Sequence, residues 1–326
     1  MNTANESPAL ERAAELMARL RSSIGQAMVA QEAVVEQVLI ALLASGHVLI
    51  EGVPGLGKTL LMRALAQALA ITHARVQFTP DLMPSDITGR AVLDSKTQEL
   101  RVVRGPVFTH ILLADEINRA PAKTQSALLE VMQEGQVSIE GETHVLPRPF
   151  LVLATQNPVE TEGTYPLPEA QLDRFLLKIN IDYPGAEAES AVVVRATAGQ
   201  PGDQLPLAGV QACLDSRTVL ALQQITARQR VDASIVDYAV RLTRATRDWP
   251  GLALGAGPRG AIALVRAARA AALLAARDYV VPDDVKRFAL AALQHRVSLA
   301  PDALLEGRRV ADLMRDVIDS VPAPRE

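Results

Sequence analysis

Apolar and polar positions along the chain predict alternating helices and strands. Residues 1–46 place charged residues among Ala and Leu at helical spacing, which predicts two helices with a break at Ser22–Gln26. Five apolar runs then have the length of buried strands, at residues 47–51, 75–79, 111–114, 150–155 and 176–181. Helical patterns at 58–70 and 121–134 lie between them. This alternation predicts the α/β fold class, with a parallel sheet covered by helices.

Two insertions interrupt the alternation. Residues 90–104 and 136–146 each carry two short β-like pieces around a polar turn. They predict β-hairpins that project from the core, although surface loops without a role explain either segment equally well.

The strand pattern stops at Tyr183. Residues 184–326 are rich in Ala and Leu at helical spacing, broken by loops at 199–209 and 249–257. We therefore expect two domains, an α/β core at 1–183 and an all-helical domain at 184–326.

Composition narrows the class of protein. Hydrophobic residues make up 49% of the chain, charged residues 21%, and the net charge is −4, so no overall charge favours nucleic acid or an anionic membrane. The single cysteine, Cys213, excludes an internal disulfide and fits a reducing compartment. We see neither a signal-peptide pattern nor an apolar run of about 18 residues, and we expect a cytoplasmic protein without membrane insertion. The five histidines lack ligand spacing, so we predict no zinc site.

A glycine-rich segment fits the phosphate-binding pattern GxxxxGK[ST]. Glycines let backbone N–H groups approach phosphate oxygens, and the next helix offers its positive end. Lys58 would reach the β- and γ-phosphates, and the Thr59 hydroxyl would bind Mg²⁺. The predicted ATP-binding residues are Gly52, Val53, Pro54, Gly55, Leu56, Gly57, Lys58, Thr59 and Leu60.

Two acids follow the apolar strand at 111–114. They would lie at the carboxyl edge of the sheet, where ligands of parallel sheets bind. We expect Asp115 to hold Mg²⁺, directly or through water, and Glu116 to polarise the attacking water.

A third polar residue, Asn157, follows the strand at 150–155. If that strand lies between the phosphate-loop strand and the acidic strand, Asn157 sits between Lys58 and Glu116 and can bind the γ-phosphate or the water. A turn-forming Asn before Pro158 is the alternative.

Three segments together resemble the MoxR family of AAA+ ATPases, over about residues 24–300: GVPGLGKT, LLADEINRAPAKTQSALLEVMQEG and LATQNPVETEGTYPLPEAQLDRF. The resemblance implies an AAA+ P-loop core with the two hairpin insertions, followed by a helical lid domain. It also implies a ring, expected to be a hexamer, that works on protein clients, often with a von Willebrand factor A domain partner. Aromatic residues are only 3% of the chain, which leaves no obvious aromatic pore loop.

The resemblance gives two arginines a role. Arg174 follows the Asn157 strand on a flank of the sheet away from its own Lys58, so we expect an arginine finger that acts on the neighbour's γ-phosphate. A local ion pair with Asp173 or Glu169 is the alternative. Arg259 resembles the second sensor, an arginine at a helix start that reaches phosphates across the domain cleft, in its own site or the neighbour's.

Four further residues are weaker candidates. Ile24 and Gly25 resemble the segment that lines the adenine pocket. Arg119 faces either the subunit boundary or the acids of its own site, in a salt bridge with Glu116 or Asp115. Thr79, at the predicted end of its strand, is a candidate restraint on Glu116.

Two other functions stay open. A nucleic-acid motor shares such hairpins, and Arg90, Lys96, Arg101 and Arg104 supply positive charge in the first, but the second, EGETH, is acidic. A nucleotide-gated scaffold with negligible turnover is the third hypothesis, and the intact catalytic residues argue against it.

Overall fold

The computed structural model describes residues 7–53, 55–94, 99–158, 163–197 and 205–324. Its helices are α1 (Ser7–Gly25), α2 (Glu32–Leu43), α3 (Lys58–Ala68), α4 (Pro84–Thr88), α5 (Ala122–Glu134), α6 (Glu169–Leu172), α7 (Ala186–Thr197), α8 (Ser216–Ala227), α9 (Ala233–Ala245), α10 (Pro258–Leu274), α11 (Pro282–Leu293), α12 (Pro301–Leu305) and α13 (Val310–Ser320). Its strands are β1 (Val48–Glu51), β2 (His73–Gln77), β3 (Gly89–Leu93), β4 (Leu100–Arg104), β5 (Ile111–Asp115), β6 (Gln136–Ile139), β7 (Glu142–Val145), β8 (Leu151–Gln156), β9 (Leu177–Asn180), β10 (Leu252–Leu254) and β11 (Ser298–Leu299).

The central sheet has five strands in the order β2-β5-β8-β1-β9, and all neighbours are parallel. The predicted parallel sheet is confirmed, and β8 does lie between the phosphate-loop strand β1 and the acidic strand β5. Strands β5 and β8 are buried along almost their whole length, as their uninterrupted apolar runs require. The polar residues that follow β1, β5 and β8 therefore meet at one edge of the sheet.

Two predicted boundaries are wrong. Helix α1 runs on to Gly25 instead of breaking at Ser22, because Ser23 and Ile24 are buried and the Ser23 hydroxyl donates to the Gln211 carbonyl at 2.8 Å. Strand β2 begins and ends two residues earlier than predicted, at His73 and Gln77, so Thr79 lies beyond the strand.

Both hairpins form where they were predicted. Strands β3 and β4 pair antiparallel, and so do β6 and β7. Lys96 and the turn at residues 95–98 lie outside the described residues.

The C-terminal region is helical, with one exception. Strands β10 and β11 form a two-stranded antiparallel ribbon, so the expectation of helices alone is wrong at this point. Residues 199–204 of the predicted loop lie outside the described residues.

The hydrophobic core has two parts. One lies under α4 and α5 and includes Phe78 and Phe175. The other runs without interruption from α1, α2 and α3 into α8, α9, α10 and α11. The N-terminal helices and the helical region thus share one core, and the domain boundary at residues 183 and 184 stays a prediction.

Among the described residues, no helix combines the length and the apolar character that crossing a bilayer requires.

Candidate nucleotide site and a second, cationic cavity

A cavity of about 680 Å³ opens at the edge of the sheet where β5 and β8 end. The residues that line it include most of those predicted for ATP, magnesium and water: Gly55, Leu56, Gly57, Lys58, Thr59, Leu60, Asp115, Glu116 and Asn157. The predicted nucleotide-binding, metal-binding and hydrolytic residues therefore meet in one place.

The glycine-rich loop connects β1 to α3. Gly55 and Gly57 have φ of 87° and 79°, a backbone conformation that costs other residues free energy. Gly52 lies against β9, where an added Cβ would be 2.7 Å from the Ile181 carbonyl oxygen. Gly52 and Val53 do not line the cavity themselves, and Pro54 lies outside the described residues.

Lys58 begins α3 and is half-buried. Its Nζ donates to the Gly52 carbonyl at 2.6 Å. Burial lowers the pKa of Lys58, while the carboxylates of Asp115, Glu116 and Glu51 oppose that shift. The ammonium group therefore lies close to the acidic end of the site, where a cation is stabilised.

Asp115 ends β5 with both carboxylate oxygens engaged. The Thr155 hydroxyl donates to Oδ1 at 2.6 Å, and the Arg75 guanidinium contacts Oδ2 at 2.6 Å. Asp115 and Thr59 line the same cavity, and an anionic oxygen beside a hydroxyl oxygen suits Mg²⁺. The described residues contain no group of three or more His, Cys, Asp or Glu that could hold a metal. Such a donor pair fits Mg²⁺ whose other ligands are phosphate oxygens and water.

Glu116 follows in the left-handed region, with φ of 56°, which is uncommon for a residue other than glycine. Its backbone N–H donates to the Thr155 hydroxyl at 2.9 Å. Strained backbone of this kind recurs at functional sites, and here it directs the side chain into the cavity.

The Glu116 carboxylate accepts a hydrogen bond at Oε2 from the Gln77 amide at 2.8 Å, and Arg119 Nε forms a salt bridge with the same oxygen at 2.9 Å. Of the two positions left open for Arg119, the structure has the salt bridge with Glu116. Thr79 does not line the cavity, and its side chain lowers the pKa of the Asp81 carboxyl instead, so the geometry does not support it as the restraint. Gln77 makes the contact with Glu116 instead, since parallel pairing puts it beside Asp115.

Asn157 comes directly after β8 and is 7% exposed. It lines the cavity together with Lys58 and Glu116, as the strand order requires. The geometry therefore supports a role at the γ-phosphate or the water for this amide.

The predicted adenine segment is misplaced by a few residues. Ile24 is fully buried in the core, and neither Ile24 nor Gly25 lines the cavity. Ala27, Met28, Val29 and Gln31 do, and the Gln31 amide donates to the Leu56 carbonyl at 3.1 Å. Sequence reasoning also missed the opposite wall, which the C-terminal region supplies through Pro184, Val192, Arg195, Thr197, Leu205 and Pro206.

Arg174 and Arg259 lie in a second cavity, of about 360 Å³, and neither lines the nucleotide cavity. Arg174 Nη1 donates to the Leu129 carbonyl at 2.5 Å, and Arg259 Nη1 lies 3.8 Å from Asp173 Oδ2. Arg266 and Arg296 line the same cavity. Four arginines thus line a cavity with one carboxylate, Asp173, which pairs with Arg259 and Arg296, and this cavity shares no described residue with the nucleotide cavity.

Comparison with known proteins identifies the family. A family model described as "ATPase family associated with various cellular activities (AAA)" matches residues 47–177, and a model of the AAA lid domain matches residues 244–317. Chaperone MoxR1 of Mycobacterium tuberculosis is 45% identical over 91% of this chain and 80% of its own length. Protein MoxR of Methylorubrum extorquens is 35% identical, over 94% and 95% respectively. The chain belongs to the MoxR family of AAA+ ATPases.

A solved structure of the same architecture supports that assignment. A crystal structure of a protein assigned as an ATPase from Cytophaga hutchinsonii superimposes with a TM-score of 0.88 at 39% identity, covering 97% of both chains. This member of the MoxR family is accordingly an ATPase, with the AAA+ sheet followed by a helical lid.

Proposed function

We propose that this MoxR-family ATPase hydrolyses Mg²⁺-ATP in a homo-oligomeric ring, expected to be a hexamer, and uses the energy to remodel or mature protein complexes. The observation that carries the proposal is the separation of the cations. Lys58 faces the chain's own nucleotide cavity, whereas Arg174 and Arg259 face another.

Each residue of the nucleotide cavity has a distinct task. Backbone N–H groups of residues 55–58 and the Lys58 ammonium bind the phosphates. Thr59 and Asp115 would hold Mg²⁺, which would supply neutralisation of the phosphate charge. Glu116 orients and polarises the attacking water, and Asn157 holds that water or the γ-phosphate from β8.

Arg174 completes the site in the neighbouring chain. Charge develops on the γ-phosphate oxygens during transfer, and a guanidinium group stabilises it through charge-assisted hydrogen bonds. Such a finger is worth roughly 10³ to 10⁵ in rate in other NTPases. Arg259 lies in the same cavity, so we propose that it also acts in trans.

The biological role follows the relatives. MoxR1 is named a chaperone, which supports a chaperone-like task. Protein clients, a von Willebrand factor A domain partner and a cytoplasmic location are part of the proposal on the family resemblance. A nucleic-acid motor is less favoured, because Glu140 and Glu142 make the end of the second hairpin acidic.

Mixing two inactive variants tests the shared site. Arg174→Ala keeps a complete nucleotide cavity, and Lys58→Ala keeps the finger, so mixed rings should recover ATPase activity that neither variant has alone. In the matched control, Lys58→Ala is mixed with Glu116→Gln. Both variants then lack a working cavity, so no recovery is expected. Silence of the first mixture at every ratio, with mixed rings demonstrated by two affinity tags, would contradict the proposal.

Affinity capture addresses the clients. Glu116→Gln should bind ATP without hydrolysing it and hold clients, whereas Lys58→Ala, which lacks the phosphate-binding cation, should not. Proteins retained only by Glu116→Gln in ATP, and identified by mass spectrometry, are the candidates.

A further inference from the structure

Arg296 is a buried arginine at the junction of the lid and the core. It ends the short 3-10 helix Gln294–Arg296 after α11, and its side chain is 3% exposed. Burial lowers the pKa of Arg296, and the Asp173 carboxylate opposes the shift. A buried guanidinium persists only where carboxylate and carbonyl oxygens replace its water.

Those oxygens come mainly from the segment that carries the finger. Nε of Arg296 contacts Asp173 Oδ1 at 2.7 Å, and Nη2 donates to the carbonyls of Phe175 at 2.6 Å and Asp173 at 3.2 Å. Nη1 donates to the Leu176 carbonyl at 3.4 Å. One lid side chain therefore binds the backbone on both sides of Arg174.

Neighbouring residues of the lid strengthen this attachment. The His295 ring contacts the Phe175 carbonyl at 3.0 Å, and the Gln294 amide donates to the Lys178 carbonyl at 2.8 Å. Three consecutive lid residues thus bind the segment from Asp173 to β9, so the backbone that carries Arg174 is attached to the lid.

Asp173 also connects the two cations of the second cavity. Its Oδ1 binds Arg296, and its Oδ2 faces Arg259 at 3.8 Å. Like charges repel Arg296 and Arg259 from each other, and the carboxylate between them offsets that repulsion. The direction of Arg259 therefore depends on the same carboxylate that fixes the finger segment.

We propose that Asp173 and Arg296 are positioning residues that aim Arg174 and Arg259 at the nucleotide of the neighbouring chain and tie the finger to the lid. This inference rests on the proposed function in trans. Misplacement of a catalytic group by about 1 Å can cost on the order of 100-fold in rate. Loss of either residue should therefore lower turnover without touching the chain's own nucleotide cavity.

The test places a second substitution on one side of the mixed ring. Asp173→Asn is added either to Lys58→Ala, which donates the finger, or to Arg174→Ala, which donates the cavity. We expect recovered ATPase activity to fall about tenfold to 100-fold when the finger donor carries Asp173→Asn. When the cavity donor carries it, recovered activity should stay within twofold, because that chain's finger is already absent.

Two further variants separate positioning from folding. Arg296→Lys keeps the charge but loses the planar fork, and it should reproduce the same asymmetry if Asp173→Asn proves unstable. Asp284→Asn is the matched control, because it breaks another partly buried ion pair of the lid, with Arg277 at 2.6 Å, at the start of α11. With Asp284→Asn, the recovered ATPase activity should be the same whether the finger donor or the cavity donor carries the substitution.

The outcomes distinguish this inference from the proposed function. The parental mixture is Arg174→Ala with Lys58→Ala. If it recovers activity, and Asp173→Asn then lowers that activity equally in the finger donor and in the cavity donor, Asp173 and Arg296 are structural only. The same conclusion follows if Asp173→Asn lowers it in neither donor. Absence of recovery in the parental mixture would overturn the shared site and this inference together. In an otherwise wild-type chain, Asp173→Asn should lower kcat and leave KM for ATP within twofold, and a rise in KM alone would also contradict it.

Discussion

The Glu116 carboxylate accepts a hydrogen bond from Gln77 on β2 and forms a salt bridge with Arg119 after β5, both at one oxygen. These two contacts hold the carboxylate in one orientation, so turning it towards a water requires that they be released. The amide of Gln77 also accepts from Arg75 at 3.1 Å, and Arg75 binds Asp115. Asp115 and Glu116 are therefore linked through two side chains of one edge strand.

Removing the amide should release Glu116. We expect Gln77→Ala to raise the unstimulated kcat roughly fivefold, because a hydrogen bond of about 1 kcal/mol corresponds to that factor. Thr79→Ala is the control, since its hydroxyl bonds Asp81 instead, and it should leave kcat unchanged. Steady-state ATPase assays measure both, and a fall in kcat for Gln77→Ala would show that the amide positions Glu116 rather than restrains it.

At the scale of helices and strands, one imidazole joins three elements. His47 precedes β1, its Nδ1 accepts from the backbone N–H of Val152 in β8, and its Nε2 contacts the Met132 carbonyl in α5. Burial lowers the pKa of His47 to about 4. The ring is therefore neutral in the folded protein at neutral pH, and both its nitrogens are used.

This burial predicts acid sensitivity. His47 takes up a proton near pH 6.5 in the unfolded chain and near pH 4 in the folded chain. The free energy of unfolding is therefore at its full value above pH 6.5 and decreases as the pH falls towards 4. The loss amounts to roughly 3 kcal/mol. Urea unfolding between pH 7 and 4.5 measures it. His47→Gln should be less stable at pH 7 but have a shallower pH dependence, and an unchanged slope would contradict the assignment.

The central strands and hairpins were predictable because each is a short apolar or alternating run with a clear polar end. The end of β2 was not, because Phe78 is fully buried and its N–H still bonds the Asp115 carbonyl at 2.9 Å, so the strand pattern outlasts the strand. Because of this two-residue shift, the sequence predicted Thr79 beside Glu116, where the structure has Gln77. Spacing in the sequence also says nothing of Arg296, because the residues it binds lie about 120 positions away.

On the scale of the whole molecule, the nucleotide cavity and the cationic cavity share none of the described lining residues. Local motifs were enough to find the phosphate-binding loop and the two acids. The role proposed for Arg174 needed a family resemblance, because no local pattern indicates which nucleotide an arginine binds. The structure adds that both cavities draw on the helical region, through Arg195 in one and Arg259 in the other. Movement of that region would alter both sites at once.

Shared sites make activity depend on concentration. If the finger comes from a neighbour, turnover per chain should fall steeply when the protein is diluted below the concentration at which rings assemble. ATPase assays at saturating ATP, with oligomer mass measured on the same dilutions, test this. Arg174→Ala serves as the control, since its low residual turnover should not change with dilution. Full turnover by a monomer at every concentration would contradict the shared site.

The continuous core that joins α1 and α2 to α8 and α10 has a consequence during synthesis. The Gln223 amide donates to the Leu42 carbonyl at 2.7 Å, and Arg266 binds the carbonyls of Ala44 and Ser45, so the first helices find their partners about 180 to 220 residues later. A nascent chain must therefore leave the ribosome with Val38, Leu39 and Leu42 unprotected until most of the polypeptide has emerged. The chain thus passes through a long interval in which its own apolar surface is open to aggregation.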